Sequence, residues 1–183
     1  MKHSIKLLAG VSACLTLAFI TAPASAAAAY APDGWYVGGS GDLTWLHSNT
    51  GGGGNVDLGY RFNDVRAEAE AGYHGIDGTH YFTYMGNLYY DFNSLFGASS
   101  SGWHIAPYVG AGLGYAAVNY GDNSFSNTFH HHDNTMAYQG MAGLTFTSAS
   151  MPNTDWSVGY RYLGTDSNNL GASNLELGVR FHF

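Results

Sequence analysis

Apolar and polar side chains alternate strictly along much of the chain, and the pattern is clearest between residues 174 and 183. In that stretch the odd positions carry Leu, Leu, Val, Phe and Phe, whereas the even positions carry Asn, Glu, Gly, Arg and His. Successive side chains of a β-strand point to opposite faces. The pattern therefore predicts a strand with one apolar face and one polar, charged face.

Seven further segments alternate in the same way, so that eight strands are predicted. In chain order the eight strands span 34–46, 55–62, 65–75, 80–92, 103–119, 136–146, 155–163 and 174–183. The third segment is rich in Ala and Glu, which favour a helix. Its strict period of two, directly after a tight Asn63-Asp64 turn, outweighs that propensity. In the fifth segment Pro107 lacks a backbone donor and predicts a bulge or a local break.

Charged residues fall on the polar face of these predicted strands. The interior charges predicted in this way are Asp42, Asp57, Arg61, Arg66, Glu68, Glu70, Asp91, Arg161, Glu176 and Arg180. Charges that are removed from water need partners, and four arginines among six carboxylates can pair inside a closed barrel. An eight-stranded barrel encloses only enough space for side chains, which favours a structural ion-pair network over a conduction path.

Aromatic residues on the apolar face gather near the strand ends. At one end they are Trp35, Phe62, Phe92, Trp103, Phe146, Trp156, Phe181 and Phe183, and at the other Trp45, Tyr73, Phe82, Tyr115, Tyr138 and Tyr162. Two aromatic girdles around an apolar band, with an even number of strands, are typical of outer-membrane barrels. Lipid satisfies no backbone polar group, so such a sheet has to close. The predicted fold is an all-β, eight-stranded, antiparallel up-and-down transmembrane barrel.

The N-terminal segment reads as a signal peptide. Lys2 and Lys6 precede an apolar run at 7–20, and Ala24-Ser25-Ala26 is a small-x-small cleavage site. We expect cleavage between Ala26 and Ala27. The predicted organisation is a signal peptide at 1–26 and an outer-membrane barrel domain at 27–183.

Cys14, the only cysteine, lies within this segment. Residues 11–14 resemble a lipoprotein box, which would acylate Cys14. The apolar run continues through 15–20, where a lipoprotein would turn polar, and this favours cleavage after Ala26 instead. The mature chain then contains no cysteine, and disulfides cannot stabilise it.

The mature chain is acidic and lacks lysine. It keeps four arginines against thirteen aspartates and glutamates. Nucleic-acid binding needs a cationic surface, so this composition argues against it. After the signal peptide no apolar stretch of about 20 residues follows, which leaves no candidate for a membrane helix.

Six short segments resemble the opacity-protein/OmpA-like family of outer-membrane β-barrels. They are GWYVGGSG at 34–41, NVDLGYRFNDVRAEAEAGYHG at 55–75, MGNLYYDF at 85–92, PYVGAGLGY at 107–115, YQGMAGL at 138–144 and VGYRY at 158–162. They occur in the family's order and span essentially the whole mature chain. Met141 departs from the family, which usually carries glycine there, and we expect tighter filling of the interior at that point.

The resemblance implies an eight-stranded barrel in the outer membrane of a Gram-negative bacterium. It also implies insertion by the barrel assembly machinery, which recognises a C-terminal aromatic strand. Phe181 and Phe183 are accordingly expected to form the assembly signal. The expected partners are outer-membrane lipids and lipopolysaccharide, and the expected state is a monomer. The family implies no cofactor.

The expected function is a structural or surface-interaction role, such as membrane integrity, adhesion or presentation of a surface antigen. The alternative is a narrow, low-conductance, porin-like channel for small solutes. A more remote alternative is a lipid-modifying barrel enzyme, with His74, His80, Ser48 and Asp77 near the outer rim. No motif fixes those four residues as a catalytic set, so no enzyme activity is predicted.

The third outer loop contains three consecutive histidines, His130, His131 and His132, followed by Asp133. Imidazoles are common ligands of divalent metals. Adjacent histidines in a loop nevertheless lack the spacing and supporting contacts of a built site. A solvated polar loop is therefore favoured over a metal or haem site.

Overall fold

The computed structural model describes residues 31–46, 49–76, 79–95, 102–120, 134–166 and 171–183. Several predictions fall outside these ranges. They concern the signal peptide with its cleavage between Ala26 and Ala27, Cys14, Ser48, Asp77, and the histidines 130–132.

The described residues form eight strands. They are β1 (Gly34–Leu46), β2 (Asn49–Phe62), β3 (Val65–Ile76), β4 (Thr79–Asp91), β5 (Trp103–Tyr120), β6 (Asn134–Ser148), β7 (Met151–Thr165) and β8 (Gly171–His182). Each strand pairs antiparallel with its neighbour in sequence, and β8 pairs with β1 to close the barrel. The predicted fold class is confirmed. No helix among the described residues has the length and apolar character needed to cross a membrane.

The seam between β1 and β8 is paired in continuous register, whereas the β6–β7 pair has a register shift between Thr147 and Ser148. The seam runs from Tyr36 opposite His182 to Trp45 opposite Ser173. Beyond it, the backbone N–H of Phe183 donates to the carbonyl oxygen of Trp35 at 3.0 Å. Closure leaves no strand edge in the sheet, which a lipid environment requires.

The two faces of the wall have opposite chemistry, as the alternation predicts. Most predicted girdle residues are exposed on the outward face, among them Trp35, Trp45, Phe62, Tyr73, Phe82, Trp103, Tyr115, Tyr138, Trp156, Tyr162, Phe181 and Phe183. Phe92 and Phe146 are half-buried. Polar and charged side chains occupy the buried inward face.

Several strands extend further than the alternation predicts. β2 begins at Asn49 instead of residue 55, because a run of four glycines pairs in register with β1. β7 begins at Met151 instead of residue 155, so that only residues 149 and 150 separate it from β6. Strands are held by backbone hydrogen bonds, which glycine makes without contributing to a side-chain pattern.

Pro107 was expected to mark a bulge or a break, and this prediction is wrong. β5 runs through Pro107 with unbroken register, opposite Leu144 of β6. On its other side the Pro107 carbonyl accepts from the N–H of Phe92, just past the end of β4. In an antiparallel pair the N–H and C=O of one residue point the same way. The missing donor would face Phe92, whose carbonyl accepts from Leu95 instead.

Candidate functional site

All ten predicted interior charges lie on strands of the closed barrel. Eight are buried, namely Asp42, Arg61, Arg66, Glu68, Glu70, Asp91, Arg161 and Arg180. Asp57 and Glu176 are half-buried. Together with buried aromatic residues they form successive layers from the end of the barrel that carries Gly34 and Phe183 to the opposite end, which is the predicted outer end.

The layer nearest Gly34 and Phe183 centres on Asp155, a fully buried residue near the start of β7. Its carboxylate lies 3.1 Å from a nitrogen of Arg61, 3.9 Å from Nε of Arg180 and 2.9 Å from Nε2 of His182. The Thr147 hydroxyl donates to its other oxygen at 2.6 Å. Sequence reasoning missed Asp155 as an interior charge. Asp155 lies two residues before Ser157 and six before Arg161, so alternation along the strand places it on the same inward face. That spacing is the signal that would have identified it.

Arg66 is the centre of the next layer and is completely buried. Its guanidinium makes two hydrogen bonds to Asp91, at 2.7 and 3.0 Å, and one to Glu68 at 2.7 Å. The Tyr36 hydroxyl donates to the same Glu68 oxygen at 2.7 Å. The guanidinium carbon also lies 4.5 Å from the centre of the Tyr89 ring, within cation–π range. Bidentate pairing compensates for the desolvation of this charge.

A third layer joins strands from opposite sides of the barrel. Arg161 of β7 binds both oxygens of Glu70 of β3, at 2.6 and 2.8 Å, and Glu176 of β8 at 2.9 Å. Asn87 of β4 donates to Glu70 at 3.1 Å. Gln139 of β6 donates in turn to Asn87 at 2.7 Å. Five strands are therefore connected through one set of side chains across the lumen.

Tyr89, Tyr108 and Met141 fill the space between these charges and pack together. The Tyr89 hydroxyl lies 3.3 Å from the Met141 sulfur. Inward glycines make room for the rings, because a Cβ at Gly159 would collide with the Tyr108 hydroxyl. Met141 thus fills the lumen where the resemblance led us to expect glycine.

Towards the outer end the lumen divides into a polar and an apolar side. His74 Nδ1 lies 3.2 Å from a carboxylate oxygen of Asp42, whose other oxygen accepts from Thr44 at 2.7 Å. The His74 ring stacks on Tyr81, with centroids 4.8 Å apart. Tyr81 belongs to the apolar cluster of Tyr81, Met85, Ala116, Ala137, Leu163 and Ala172.

A small cavity of about 20 Å³ lies in the middle of the described interior. Its charged lining consists of Asp57, Glu68, Glu70, Arg161, Glu176 and Arg180. That volume accommodates roughly one water molecule. One oxygen of Asp57 is buried there without a hydrogen-bond partner in the described chain. One water could supply that partner, whereas a hydrated ion would not fit.

The two described candidates for a catalytic set lie on opposite sides of the wall. His74 is buried in the lumen, whereas His80 is exposed on the outward face. A nucleophile, a base and an orienting acid must meet at one point. His74 and His80 cannot do so in this arrangement.

A closed eight-stranded barrel with aromatic rims outside and paired charges inside defines a transmembrane β-barrel of the outer-membrane class. The family comparison agrees with this assignment. The chain belongs to the outer membrane protein beta-barrel domain family, whose model matches residues 12–183. It is therefore located in the outer membrane of a Gram-negative bacterium, and the resemblance to small OmpA-like barrels is confirmed.

Solved structures show the same fold. Neisserial surface protein A is 24% identical, with a TM-score of 0.61, and the match covers 81% of this chain and 97% of that one. The N-terminal β-barrel domain of OprF from Pseudomonas aeruginosa is 20% identical, with a TM-score of 0.51 and the same coverages of 81% and 97%. The outer membrane enzyme PagL is a more distant match, at 18% identity, a TM-score of 0.47, and coverages of 80% and 99%. Among curated protein sequences, none matches this chain significantly.

Proposed function

We propose that this protein is a non-conducting outer-membrane barrel that stabilises the membrane around it and presents polar loops at the cell surface. The observation that supports this most strongly is the filled lumen. The Arg161 layer joins five strands across it, with Arg66 and its partners below and an apolar cluster above. Passage of an ion would require at least one buried charge pair to separate, which is strongly unfavourable.

The test of this role is planar-bilayer recording on the refolded protein. We expect no unitary currents from the wild type. Arg161→Gln and Glu68→Gln remove lumen charges, whereas Tyr160→Phe alters an exposed outward residue and is the matched control. The wild type could instead give reproducible currents that change in the two lumen variants but not in the control. That result would support a narrow channel and contradict the non-conducting role.

The structural and surface-interaction parts of the role can be separated in cells. In a strain that lacks the protein, we expect increased sensitivity to detergent. A variant whose residues 121–133 are replaced by a short Gly-Ser linker should restore resistance if the barrel alone stabilises the membrane. The same variant should fail to restore any attachment that depends on the loop. If it does restore attachment, the third loop is not the interaction surface.

The proposal includes no catalytic activity. His74 is paired with Asp42 inside the lumen, and His80 contacts Tyr73 outside it. Lipid A and phospholipids extracted from cells should have the same masses with wild-type protein, His74→Ala or His80→Ala. A modified lipid that disappears in either variant would show that the barrel is an enzyme.

Biogenesis forms part of the same proposal. We infer cleavage of residues 1–26, insertion of 27–183 as a monomer by the assembly machinery, and contact with lipopolysaccharide in the outer leaflet. Mass spectrometry of the mature protein tests the cleavage site. A mature N-terminus other than Ala27, or an acylated Cys14, would contradict it.

A further inference from the structure

Six of the seven inward carboxylates in the described barrel are paired directly with an arginine or a histidine. They are Asp42, Glu68, Glu70, Asp91, Asp155 and Glu176, and each has an oxygen within 3.2 Å of an arginine or histidine nitrogen. The seventh, Asp57 of β2, forms no ion pair with any described residue. One of its oxygens is buried without a hydrogen-bond partner in that part of the chain. Asp57 is therefore the one inward carboxylate of the described strands whose charge no side chain neutralises.

The strand register places Asp57 beside other carboxylates. Asp57 pairs with Gly38 on β1 and with Glu70 on β3, and Glu68 lies two residues from Glu70 on the same face. Adjacent strands lie roughly 4.8 Å apart, so Glu70 is the direct cross-strand neighbour of Asp57. On the other side a Cβ at Gly38 would collide with both carboxyl oxygens of Asp57. The Asp57 carboxyl therefore lies over β1, next to a pair of acidic side chains on β3.

The guanidinium groups in the middle of the barrel are already bound to other acceptors. The contacts are those of Arg161 with Glu70 and Glu176, of Arg66 with Glu68 and Asp91, and of Arg180 with Thr145 and Asp155. When two carboxyl groups lie side by side away from water, one of them keeps a proton unless a cation lies between them. The two hydrogen bonds from Arg161 favour the ionised form of Glu70. The neutral member of the Asp57–Glu70 pair is therefore Asp57.

The charges around the central cavity lead to the same assignment. The titratable and charged residues that line the cavity with Asp57 are Glu68 and Glu70 of β3, Tyr89 of β4, Tyr108 of β5, Arg161 of β7, and Glu176 and Arg180 of β8. β1 contributes the Tyr36 hydroxyl, which donates to Glu68. The described lining contains neither histidine nor lysine. With Arg66 counted as the partner of Glu68, three guanidinium groups balance three carboxylates, and an ionised Asp57 would be an unbalanced fourth.

We propose that Asp57 binds a proton in the folded barrel at neutral pH and is the neutral member of the lumen network. The centre of the lumen is thus a binding site for one positive charge, and a proton on the carboxyl supplies that charge. In an unfolded chain aspartate releases its proton at about pH 4. The stability of the barrel is therefore coupled to pH through this one carboxyl. This inference rests on the packing of the lumen and not on the non-conducting role.

Two measurements on the mature protein, refolded in lipid vesicles, test this proposal. Infrared spectroscopy at neutral pH should show the C=O stretching band of a protonated carboxylic acid in the wild type, and Asp57→Asn should lack that band. Urea titration compares Asp57→Asn with Glu70→Gln, its cross-strand partner on β3 and the matched control. At neutral pH Asp57→Asn exchanges one neutral group for another of similar shape and should be at least as stable as the wild type. Glu70→Gln takes a counter-charge from Arg161 and should be less stable.

The pH dependence of unfolding gives the size of the effect. Between about pH 5 and 7 the folded wild type holds one proton that the unfolded chain has released, so its unfolding constant should rise by up to about tenfold per pH unit relative to that of Asp57→Asn. The other titrating groups are the same in both proteins and cancel in this ratio. A ratio that stays constant with pH, a carboxylic-acid band that is absent from the wild type or persists in Asp57→Asn, or equal destabilisation by Asp57→Asn and Glu70→Gln would each overturn the proposal. Saturable stabilisation by sodium that only the wild type shows would also overturn it, because the bound charge would then be a metal cation.

Discussion

Asp155 shows most directly how single residues hold the interior. Four groups converge on its carboxylate from three strands: Arg61 from β2, Arg180 and His182 from β8, and Thr147 from β6 of its own hairpin. A buried charge whose partner is removed costs several kcal/mol, because the remaining charges stay desolvated. One carboxylate therefore affects the stability of four surrounding groups.

Asp155→Asn should lower the free energy of unfolding by about 3 kcal/mol or more, because it leaves buried cations without their counter-charge. Urea titration in lipid vesicles, followed by tryptophan fluorescence, measures the change. Asp166→Asn, at an exposed aspartate beyond the same strand, should change stability by less than about 0.5 kcal/mol. Equal effects of the two substitutions would show that the Asp155 ion pairs contribute nothing specific.

Gly114 on β5 and Gly140 on β6 differ in the space that is available for a side chain. A Cβ at Gly114 would collide with the carbonyl oxygen of Tyr84 and lie 2.8 Å from the Met85 Cα, whereas a Cβ at Gly140 would meet nothing within 4 Å. Gly114→Ala should therefore destabilise the barrel by roughly 1–3 kcal/mol, because backbone atoms have to move. Gly140→Ala should be tolerated. The same urea titration tests both, and a stable Gly114→Ala variant would contradict the proposed steric limit.

The strands as elements were largely predictable from the alternation of side chains. The number of strands, the face on which their side chains lie and the Asn63-Asp64 turn are confirmed. Asn63 adopts a left-handed φ of 53°, which asparagine tolerates. The starts of β2 and β7 were not predictable, because neither carries a regular side-chain pattern. β2 begins with glycines that pair through the backbone, and β7 begins with Met151 opposite Ser148, across a register shift from the Asp155–Thr147 pair. The Pro107 prediction was wrong because β4 has already ended opposite Pro107. Its missing N–H donor therefore leaves no hydrogen bond between strands unmade.

The sequence pattern also did not predict which charged residues pair with each other inside the barrel. Alternation placed Arg161 and Glu70 on the inward face, but their strands are not adjacent. Which side chains meet across a lumen depends on strand tilt and stagger. An alternating pattern contains neither quantity, so the charges could be predicted as a set but not as pairs.

Phe181 on β8 is expected to be part of the assembly signal, and this expectation can be tested. We expect Phe181→Ala to reduce the amount of protein assembled in the outer membrane, if the assembly machinery recognises this strand. Phe62→Ala, at a similarly exposed phenylalanine on β2, is the control and should assemble normally. Quantification of heat-modifiable protein in membrane fractions measures assembly. Equal yields would argue against a recognition role for Phe181.

At the scale of the whole molecule, the two ends of the barrel carry different connections. Residues 63–64 and 149–150 join strands at the end that carries Gly34 and Phe183, and the longest interval between two strands, residues 121–133, separates β5 and β6 at the opposite end. In outer-membrane barrels the longer loops are extracellular. We therefore expect the end at which β5 meets β6 to face the cell exterior.

This orientation can be tested with single cysteines, because Cys14 is the only natural one. Asp166→Cys should react with a membrane-impermeant maleimide on intact cells. Ser150→Cys, at an exposed turn residue, should react only after permeabilisation. The unsubstituted chain reports the background. Labelling of Ser150→Cys on intact cells would reverse the proposed orientation.

The lumen charges also bear on the order in which the barrel folds. Arg61 and Asp155 are 94 residues apart, and Glu70 and Arg161 are 91 apart, so each pair joins the two halves of the chain. A half-barrel of β1 to β4 would contain Glu70 without Arg161. Contacts of such long range form late, since chain closure has to precede them. We therefore infer that the Arg61–Asp155 and Arg161–Glu70 pairs form together with ring closure, whereas Arg66 can pair with Asp91 and Glu68 as soon as β3 and β4 have formed.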